Sequence, residues 1–342
     1  MKKFSLLFLS FTISLNFQFS AQTIQSHKII NKINVAGDGS WDLLVIDEPL
    51  QHLFLSHGTV VNVIDLKTSQ AIATIKDTKG VHGIAIASDL NKGFTSNGKD
   101  TSVTVFNSST FEIIEKVKID GINPDAIIYD TFTHKVFIFN GKSNDATIMD
   151  AKTNKIIGTI KLPGKPELCT NDNKGTVFVN IEDKNSIIVI DAVTLKIKNV
   201  WSVSPGEEPT GLAFDSKENR LFSVCDNKLM IIVNSENGKV VSTVPIGEGC
   251  DGVVFDADKK YIYASNGGDG TITVVKKENE NSYKVVETII TQKGAKTIAL
   301  NKSTHQLFLP TAEFEEKPNS TKESSHSKLP IKPNSFRVLV IE

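Results

Sequence analysis

Short apolar runs alternate with polar turn residues along almost the whole chain, and residues 123–160 show the pattern most clearly. Four runs of four to six residues, rich in Ile, Val, Phe and Thr, occupy 126–129, 136–139, 146–149 and 155–160. Asp, Asn, Gly or Lys bounds each run, as is typical of β-strands joined by tight turns. Apolar residues keep helical spacing nowhere, so this stretch predicts a four-stranded β unit.

Three landmarks show that the unit recurs seven times. An aromatic side chain in the second strand returns every 40 to 45 residues. The residue that opens the first strand lies 12 positions before that aromatic, or 11 in the fourth unit. The residue that closes the third strand returns every 41 to 43 residues through six units, and then after 66. Because three separate markers keep one period, the chain is a repeat protein. The aromatic positions are Phe54, Phe94, Phe137, Phe178, Phe222, Tyr263 and Phe308.

A four-stranded unit cannot bury both of its faces alone, so repeated units stack around an axis as blades. The sequence therefore predicts an all-β fold, a seven-bladed β-propeller of four-stranded blades, with the aromatics filling the wedges between blades. The seventh unit ends at Glu342 on its third strand, whereas residues 27–35 (HKIINKINV) match the fourth strand at 154–162 (NKIIGTIKL). We expect this N-terminal strand to complete the C-terminal blade and close the ring.

Four segments carry a family resemblance: VNVIDLKT (61–68), VFIFN (136–140), IIVIDAVT (187–194) and YIYASN (261–266). They resemble the repeats of the YVTN β-propeller family of YncE-like exported proteins, over nearly the whole chain after residue 21. The resemblance implies the propeller fold and, loosely, a scaffold or binding role, since these motifs are structural. Units 2, 5 and 6 depart from the motif at its Asp, where Asn107, Asn234 and Lys276 stand, and we expect weaker turns there.

The N-terminus has the pattern of an export signal. Lys2 and Lys3 precede an apolar run at 4–19, and Ala21 is a small residue before the expected cleavage point. We therefore expect residues 1–21 to be removed, leaving a propeller at 22–342 in the periplasm or outside the cell, without a membrane span. The remaining chain is slightly acidic, which predicts no nucleic-acid partner. We expect a monomer.

No motif for a nucleophile, a phosphate loop, a zinc site or haem attachment is present, so any site must be assembled from distant residues. In a propeller, the residues that open the inner strands meet at the mouth of the axial channel. One interpretation is that these polar side chains satisfy backbone groups and water there. The other is an acidic pocket for a cationic ligand or a divalent metal. The candidate ligand-binding residues are Asp42, His82, Asp125, Glu167, Thr210, Asp251 and Lys296, with His57 on the same face.

These residues favour an exported, non-catalytic scaffold that binds a small ligand or a protein partner at the channel mouth. Two alternatives stay open. One is a lactonase-like, metal-assisted hydrolase with Glu167, Asp125, Asp251 and His82 around a divalent ion. The other is an accessory subunit of a periplasmic redox system.

The loop at 311–335 is longer than its counterparts by roughly 24 residues and rich in Lys, Glu, Ser, Pro and Asn. Such a composition predicts a mobile loop, either a plain insertion or a lid over the mouth. His27 and His326 are expected at the surface. Cys169 is expected to be a small buried hydrophobe, and Cys225 and Cys250 are candidates to face each other near one rim.

Overall fold

A computed structural model describes residues 26–37, 39–315 and 330–342. The expected signal peptide at 1–21 lies outside the described residues. Within the described part of the chain, no helix has both the length and the apolar character needed to cross a membrane.

The strands form seven four-stranded antiparallel sheets, which we number as blades. Strand β1 (Ile29–Asn34) precedes the first blade and belongs to the last. Blade 1 contains β2 (Trp41–Asp47), β3 (His52–His57), β4 (Val60–Asp65) and β5 (Gln70–Ile75). Blade 2 contains β6 (Val81–Ala87), β7 (Lys92–Asn97), β8 (Ser102–Asn107) and β9 (Ile113–Lys118). Blade 3 contains β10 (Pro124–Asp130), β11 (Lys135–Asn140), β12 (Asp145–Asp150) and β13 (Ile156–Lys161).

The second half of the ring repeats this order. Blade 4 contains β14 (Pro166–Asn171), β15 (Thr176–Ile181), β16 (Ser186–Asp191) and β17 (Lys196–Ser202). Blade 5 contains β18 (Pro209–Asp215), β19 (Arg220–Cys225), β20 (Leu229–Asn234) and β21 (Val240–Pro245). Blade 6 contains β22 (Cys250–Asp256), β23 (Tyr261–Asn266), β24 (Thr271–Asn279) and β25 (Ser282–Ile290). Short 3₁₀ turns at Ser88–Leu90 and Glu182–Lys184 follow strands in blades 2 and 4.

Blade 7 is assembled from both ends of the described chain. Its strands are β26 (Ala299–Leu300), β27 (Leu307–Thr311), β28 (Arg337–Ile341) and β1, in that spatial order from the axis outward. The β1–β28 pairing runs from Ile29 opposite Ile341 to Asn34 opposite Arg337. The predicted fold and the predicted closure by an N-terminal strand are therefore both confirmed.

The core is divided into seven apolar clusters, one at each junction between neighbouring blades. At the junction of blades 3 and 4, for example, Phe137 packs in one cluster with Val177 and Ile188. All seven landmark aromatics are at most 2% exposed, and each belongs to a different cluster. The period of the aromatics thus reflects the repeated need to fill the wedge between adjacent sheets.

The turns that end the third strands explain the recurrent Asp. The carboxylate of Asp65 accepts the backbone amides of Lys67 and Thr68, both at 2.8 Å, which fixes the turn into the fourth strand. Asn107 accepts the two equivalent amides at 2.9 and 2.8 Å, so an amide oxygen holds the same turn in blade 2. In blade 6, where Lys276 replaces the Asp, β24 and β25 extend to nine residues each and the turn moves outward.

The long loop of blade 7 is held together at its base. The backbone of Phe314 pairs with that of Ile331, and the Glu315 amide donates to the Pro330 carbonyl at 2.8 Å. Thr311 is the last residue of β27, and residues 316–329, which include His326, lie outside the described residues. The described ends of the predicted loop at 311–335 are therefore ordered by pairing with each other.

The expectation that His27 lies at the surface is wrong. Its side chain is 9% exposed, because its ring bonds to the Glu287 carboxylate at 2.7 Å and to the Tyr263 hydroxyl at 3.1 Å. The three cysteines are free thiols. Cys225 and Cys250 are buried in neighbouring clusters, whereas Cys169 is only partly buried.

Candidate functional site

A β-bulge recurs near the start of the inner strands and positions the candidate residues. In blade 3, Pro124 lies opposite Asn140 and Ile127 lies opposite Ile138, so β10 carries one residue more than its partner. Asp125 is in that bulge. Bulges of this kind re-aim side chains, which directs the second residue of the strand to the channel mouth. The same one-residue surplus occurs in β2, β6, β14, β18 and β22, and it accounts for the placement of Asp42, His82, Glu167, Thr210 and Asp251.

The carbonyls that the bulges remove from strand pairing are satisfied by buried polar side chains of adjacent strands. Ser96 donates to the Asp125 carbonyl, and in blade 7, where Lys296 precedes the inner strand, Ser265 donates to the Lys296 carbonyl at 2.7 Å. Asn180 donates to the Thr210 carbonyl at 3.0 Å. These bonds meet the rule that buried backbone groups are paired, and they fix the height of each ring residue relative to the next blade.

Charged side chains connect five neighbouring blades at the mouth. Lys296 lies 2.6 Å from the Asp251 carboxylate and 3.9 Å from that of Asp42. The other oxygen of Asp42 lies 2.7 Å from Nδ1 of His82, and that nitrogen lies 3.9 Å from Asp125. The structure thus brings together the predicted residues of blades 6, 7, 1, 2 and 3.

The central members of this series form a potential ligand set for a metal ion. One ligand atom from each of Asp42, His82 and Asp125 lies within 4.8 Å of the other two. Their side chains are 22 to 30% exposed, so the set is open to the mouth. Carboxylate oxygens and an imidazole nitrogen together suit Mn²⁺ or Zn²⁺. We call these three residues the mouth triad.

The pKa shifts at the mouth reflect crowded charges with restricted access to water. The hydrogen bond that His82 donates to the Asp42 carboxylate raises the pKa of His82, although burial opposes it. Burial raises the pKa of Asp125, with His82 acting in the opposite sense. Burial also raises the pKa of Glu167 to about 7, despite its hydrogen bond with Lys165. Burial lowers the pKa of Lys296, but the carboxylates of Asp42 and Asp251 outweigh it and hold that pKa above its usual value.

Glu167 and Thr210 have other partners. Glu167 pairs with Lys165 at 2.7 Å, and Lys165 also contacts the Glu182 carboxylate. Sequence reasoning missed Lys165 and Glu182. The alternating charges of Lys165 and Glu167 around Pro166 were the only local signal. The Thr210 hydroxyl donates to the Cys250 carbonyl at 2.6 Å, which is a structural role.

Below the charged ring, the axial channel is apolar. A cavity of about 310 Å³ is lined by inner-strand side chains that include Leu44, Ile84, Leu212 and Ile298, together with Cys169. An ion that enters from the mouth would meet the carboxylates of the ring first and apolar side chains beyond them. Because burying a charge among apolar side chains is costly, a charged ligand is expected to bind at the ring.

The polar residues that end the second strands turn toward the third strands. Asn140 is fully buried and donates to Asp145 at 2.8 Å and to Thr147 at 3.0 Å. Asn97 and Asn266 make equivalent bonds. His57 is buried, lies 3.0 Å from the Asn62 side chain and stacks on Phe336 at a centroid distance of 4.1 Å. The structure therefore does not bring His57 to the mouth triad.

A second potential ligand set lies at the opposite end of the inner strands, where Asp256, Asp258 and His305 approach one another. Asp256 is 3% exposed, bonds to His305 at 2.7 Å and accepts the amides of Asp258 and Lys259. One of its carboxylate oxygens therefore holds a turn, and the other is paired with His305.

Comparison with known proteins identifies the architecture. No family model and no curated protein matches the chain. A chain of hydrazine synthase from Kuenenia stuttgartiensis is 14% identical, with a TM-score of 0.71 over 80% of this chain and 94% of that one. The structure of U3-55K is 9% identical, with a TM-score of 0.74 over 91% and 98% of the two chains. The WD40 repeats of RRP9 are 8% identical, with a TM-score of 0.75 over 92% and 98%. At these identities the likeness concerns the fold, and it identifies a seven-bladed propeller with WD40-like neighbours.

Proposed function

We propose that the protein is a non-catalytic binding propeller that takes a divalent cation at the mouth triad. The observation that carries the proposal is the convergence of Asp42, His82 and Asp125 from three successive blades at an accessible position. A propeller scaffold holds such residues on rigid strands, which lowers the cost of ordering a binding site.

The partners of these side chains distinguish the mouth triad from a structural polar cluster. Among the described residues, the Asp42 carboxylate bonds to His82 and lies 3.9 Å from Lys296, the Asp125 carboxylate lies 3.9 Å from His82, and neither carboxylate accepts a backbone amide. Asp256, in contrast, is occupied with a turn. Four carboxylates and two ammonium groups lie along the ring, since Asp251 and Glu167 add to the acidic side while Lys296 and Lys165 pair with them. The local excess of negative charge favours a cation there.

Calorimetric titration of chelator-treated protein with Mn²⁺, Zn²⁺ and Ca²⁺ tests the proposal. We expect one site, with tighter binding of Mn²⁺ or Zn²⁺ than of Ca²⁺ because imidazole is a poor ligand for Ca²⁺. Asp125→Asn, which keeps the shape of the side chain, should weaken binding by about tenfold or more, as is usual when a ligand or its support is lost. His305→Ala is the matched control on the opposite face. Absence of heat with all three ions refutes the proposal, and loss of binding in His305→Ala alone assigns the ion to the other set.

One observation favours a second function, metal-assisted hydrolysis of the lactonase type. Burial, together with the charge of Asp125, raises the pKa of the Glu167 carboxyl group to about 7 although Lys165 opposes this, and a carboxyl group with such a pKa suits a general base near a metal-bound water. The test is hydrolysis of a panel of lactones and esters with each metal. Turnover that Glu167→Gln abolishes while metal affinity is retained would establish catalysis.

The cellular placement and the family are also proposals. The pattern at 1–21 supports export, and the repeat motifs support membership of the YVTN family. Expression of the full chain followed by N-terminal sequencing of the exported fraction tests the first. A mature chain that begins near residue 22 is the expected result, and retention of Met1 on a cytoplasmic product contradicts it.

A further inference from the structure

A second cavity opens beside the mouth, between blades 6, 7 and 1. It has a volume of about 430 Å³, which is in the range of small-molecule sites. Trp41 and Phe314 form aromatic walls, with ring centroids 6.2 Å apart, and Ile331 extends the apolar surface. We call this space the Trp41 pocket.

The walls of the Trp41 pocket are already in place. Trp41 packs on Phe336 at 5.3 Å and on the cluster between blades 7 and 1. Phe314 is held by its backbone pairing with Ile331 and by its ring lying over Gly294, where an added Cβ would come within 2.9 Å of the ring. The φ of +86° at Gly294 also favours glycine. A ligand would therefore enter a largely pre-formed space.

The charged side chains that line the described part of the pocket are all positive. Among the described residues that line it, Lys293 and Lys296 supply ammonium groups, and there is no carboxylate. Lys296 is paired with Asp251. Lys293 is exposed, and no carboxylate within the described ranges lies in ion-pair distance of it. An apolar pocket with an uncompensated cation at its edge complements an apolar anion.

We propose that the Trp41 pocket binds a small aromatic carboxylate, with the ligand ring packed against the wall that Trp41 and Phe314 form and the carboxylate at Lys293. This site adjoins the mouth triad through Lys296, which lines the pocket and lies 3.9 Å from Asp42, but none of the three triad residues lines the pocket. The aromatic walls supply contact area for the ring, and the ammonium group distinguishes an acid from a neutral or cationic analogue of the same size.

The fluorescence of Trp41 can report binding in the pocket directly. The chain has two tryptophans, Trp41 and Trp201, so replacing Trp201 leaves Trp41 as the source of tryptophan emission. In a Trp201→Phe variant, we would titrate 3-phenylpropionate, 3-phenylpropanol and 3-phenylpropylammonium, and follow the emission excited at 295 nm. Calorimetry on the unmodified protein gives a second readout. Saturable binding of the acid is expected, about threefold to fivefold tighter than of the alcohol, as one exposed ion pair allows. The ammonium compound should bind most weakly.

Three variants locate the site. Phe314→Ala should weaken binding of the acid by about tenfold, because one aromatic wall is lost. Lys293→Gln should remove the preference for the acid over the alcohol. Phe132→Ala, at an exposed aromatic in a turn of blade 3, is the control and should change nothing.

Four results overturn the proposal. Equal affinities for the three probes exclude anion selectivity, and unchanged affinity in Phe314→Ala places the site elsewhere. A concentration-dependent dimer that Phe314→Ala dissociates makes a second copy the occupant. If deletion of residues 318–327 tightens binding by more than about tenfold, a segment of the chain itself competes for the pocket.

Discussion

Closure of the ring by β1 makes a quantitative prediction about a strand that is remote in sequence from the blade it completes. Ile33 is 4% exposed and packs in the cluster between blades 7 and 1, with Leu53 and Val338 among its members. Ile30, on the same strand, is 40% exposed. Ile33→Ala should therefore remove buried contacts, whereas Ile30→Ala should not.

Truncation of a buried isoleucine costs about 2–5 kcal/mol, which combines the lost transfer free energy with the cavity that is left. We expect Ile33→Ala to lower the free energy of unfolding by that amount, and Ile30→Ala to change it by less than about 0.5 kcal/mol. Urea denaturation followed by tryptophan emission measures both, since Trp41 packs on the same cluster. Deletion of residues 22–36 should abolish cooperative folding, because it exposes the edge of β28 and the apolar face beneath it.

Closure of the ring by β1 is refuted if the two isoleucine variants lose equal stability, or if the truncated chain keeps its melting temperature. Either result would mean that the C-terminal blade is stable with three strands. His27 is a further check. Its bonds to Glu287 and Tyr263 link the closing segment to blade 6, so His27→Ala should add to the effect of Ile33→Ala.

Three other predictions follow from single side chains. Asn140→Ala should cost about 1–3 kcal/mol in unfolding free energy, measured by urea denaturation, because it removes the donor to the buried Thr147 hydroxyl and one of the hydrogen bonds to Asp145. An unchanged midpoint contradicts this. Asp150→Asn should be nearly neutral and Asp150→Ala destabilising, since an amide oxygen holds the same turn in blade 2; equal losses would show that the charge matters. The folded protein raises the pKa of Glu167 from 4.5 to about 7, so it binds that proton more tightly than the unfolded chain, and stability falls as pH rises through this window. Glu167→Gln should flatten that dependence in chelator-treated protein, and parallel pH profiles would contradict the assignment.

The repeat could be predicted from the sequence because each landmark residue has the same structural role in successive blades. An aromatic fills every wedge, and a carboxylate or amide holds the turn after the third strand in blades 1 to 5, so both recur at the blade period and are visible in one chain. The mouth ring could be predicted for the same reason, since its members occupy one position of the repeat. The bulges that aim them were not predicted, because a bulge is a property of two paired strands and of the neighbouring blade that satisfies the freed carbonyl.

The positions of His27 and Lys165 were not predicted because their contacts lie outside the repeat pattern. His27 was expected at the surface, yet its ring partners lie 260 and 236 residues away in sequence, beyond the reach of any local pattern. Lys165 was missed although it lies two positions from Glu167, because only the folded chain shows that it also contacts Glu182. Residues outside the repeat register carry no periodic signal.

The mouth differs from blade to blade, and this asymmetry separates the two proposed sites. In blade 5 the ring position is Thr210, whose hydroxyl donates a hydrogen bond to the Cys250 carbonyl. The series of charged contacts therefore does not continue into blade 5. Lys296 compensates the carboxylates on the blade 7 side, which leaves the acidic excess around His82 and Asp125 on the opposite flank. A cation is therefore favoured at blades 1 to 3, whereas an anion is favoured where Lys293 and Lys296 border the Trp41 pocket. Because the blades share one backbone, the choice of ligand on each side rests on side chains alone, and exchanging charges between the two flanks should exchange their preferences without unfolding the ring.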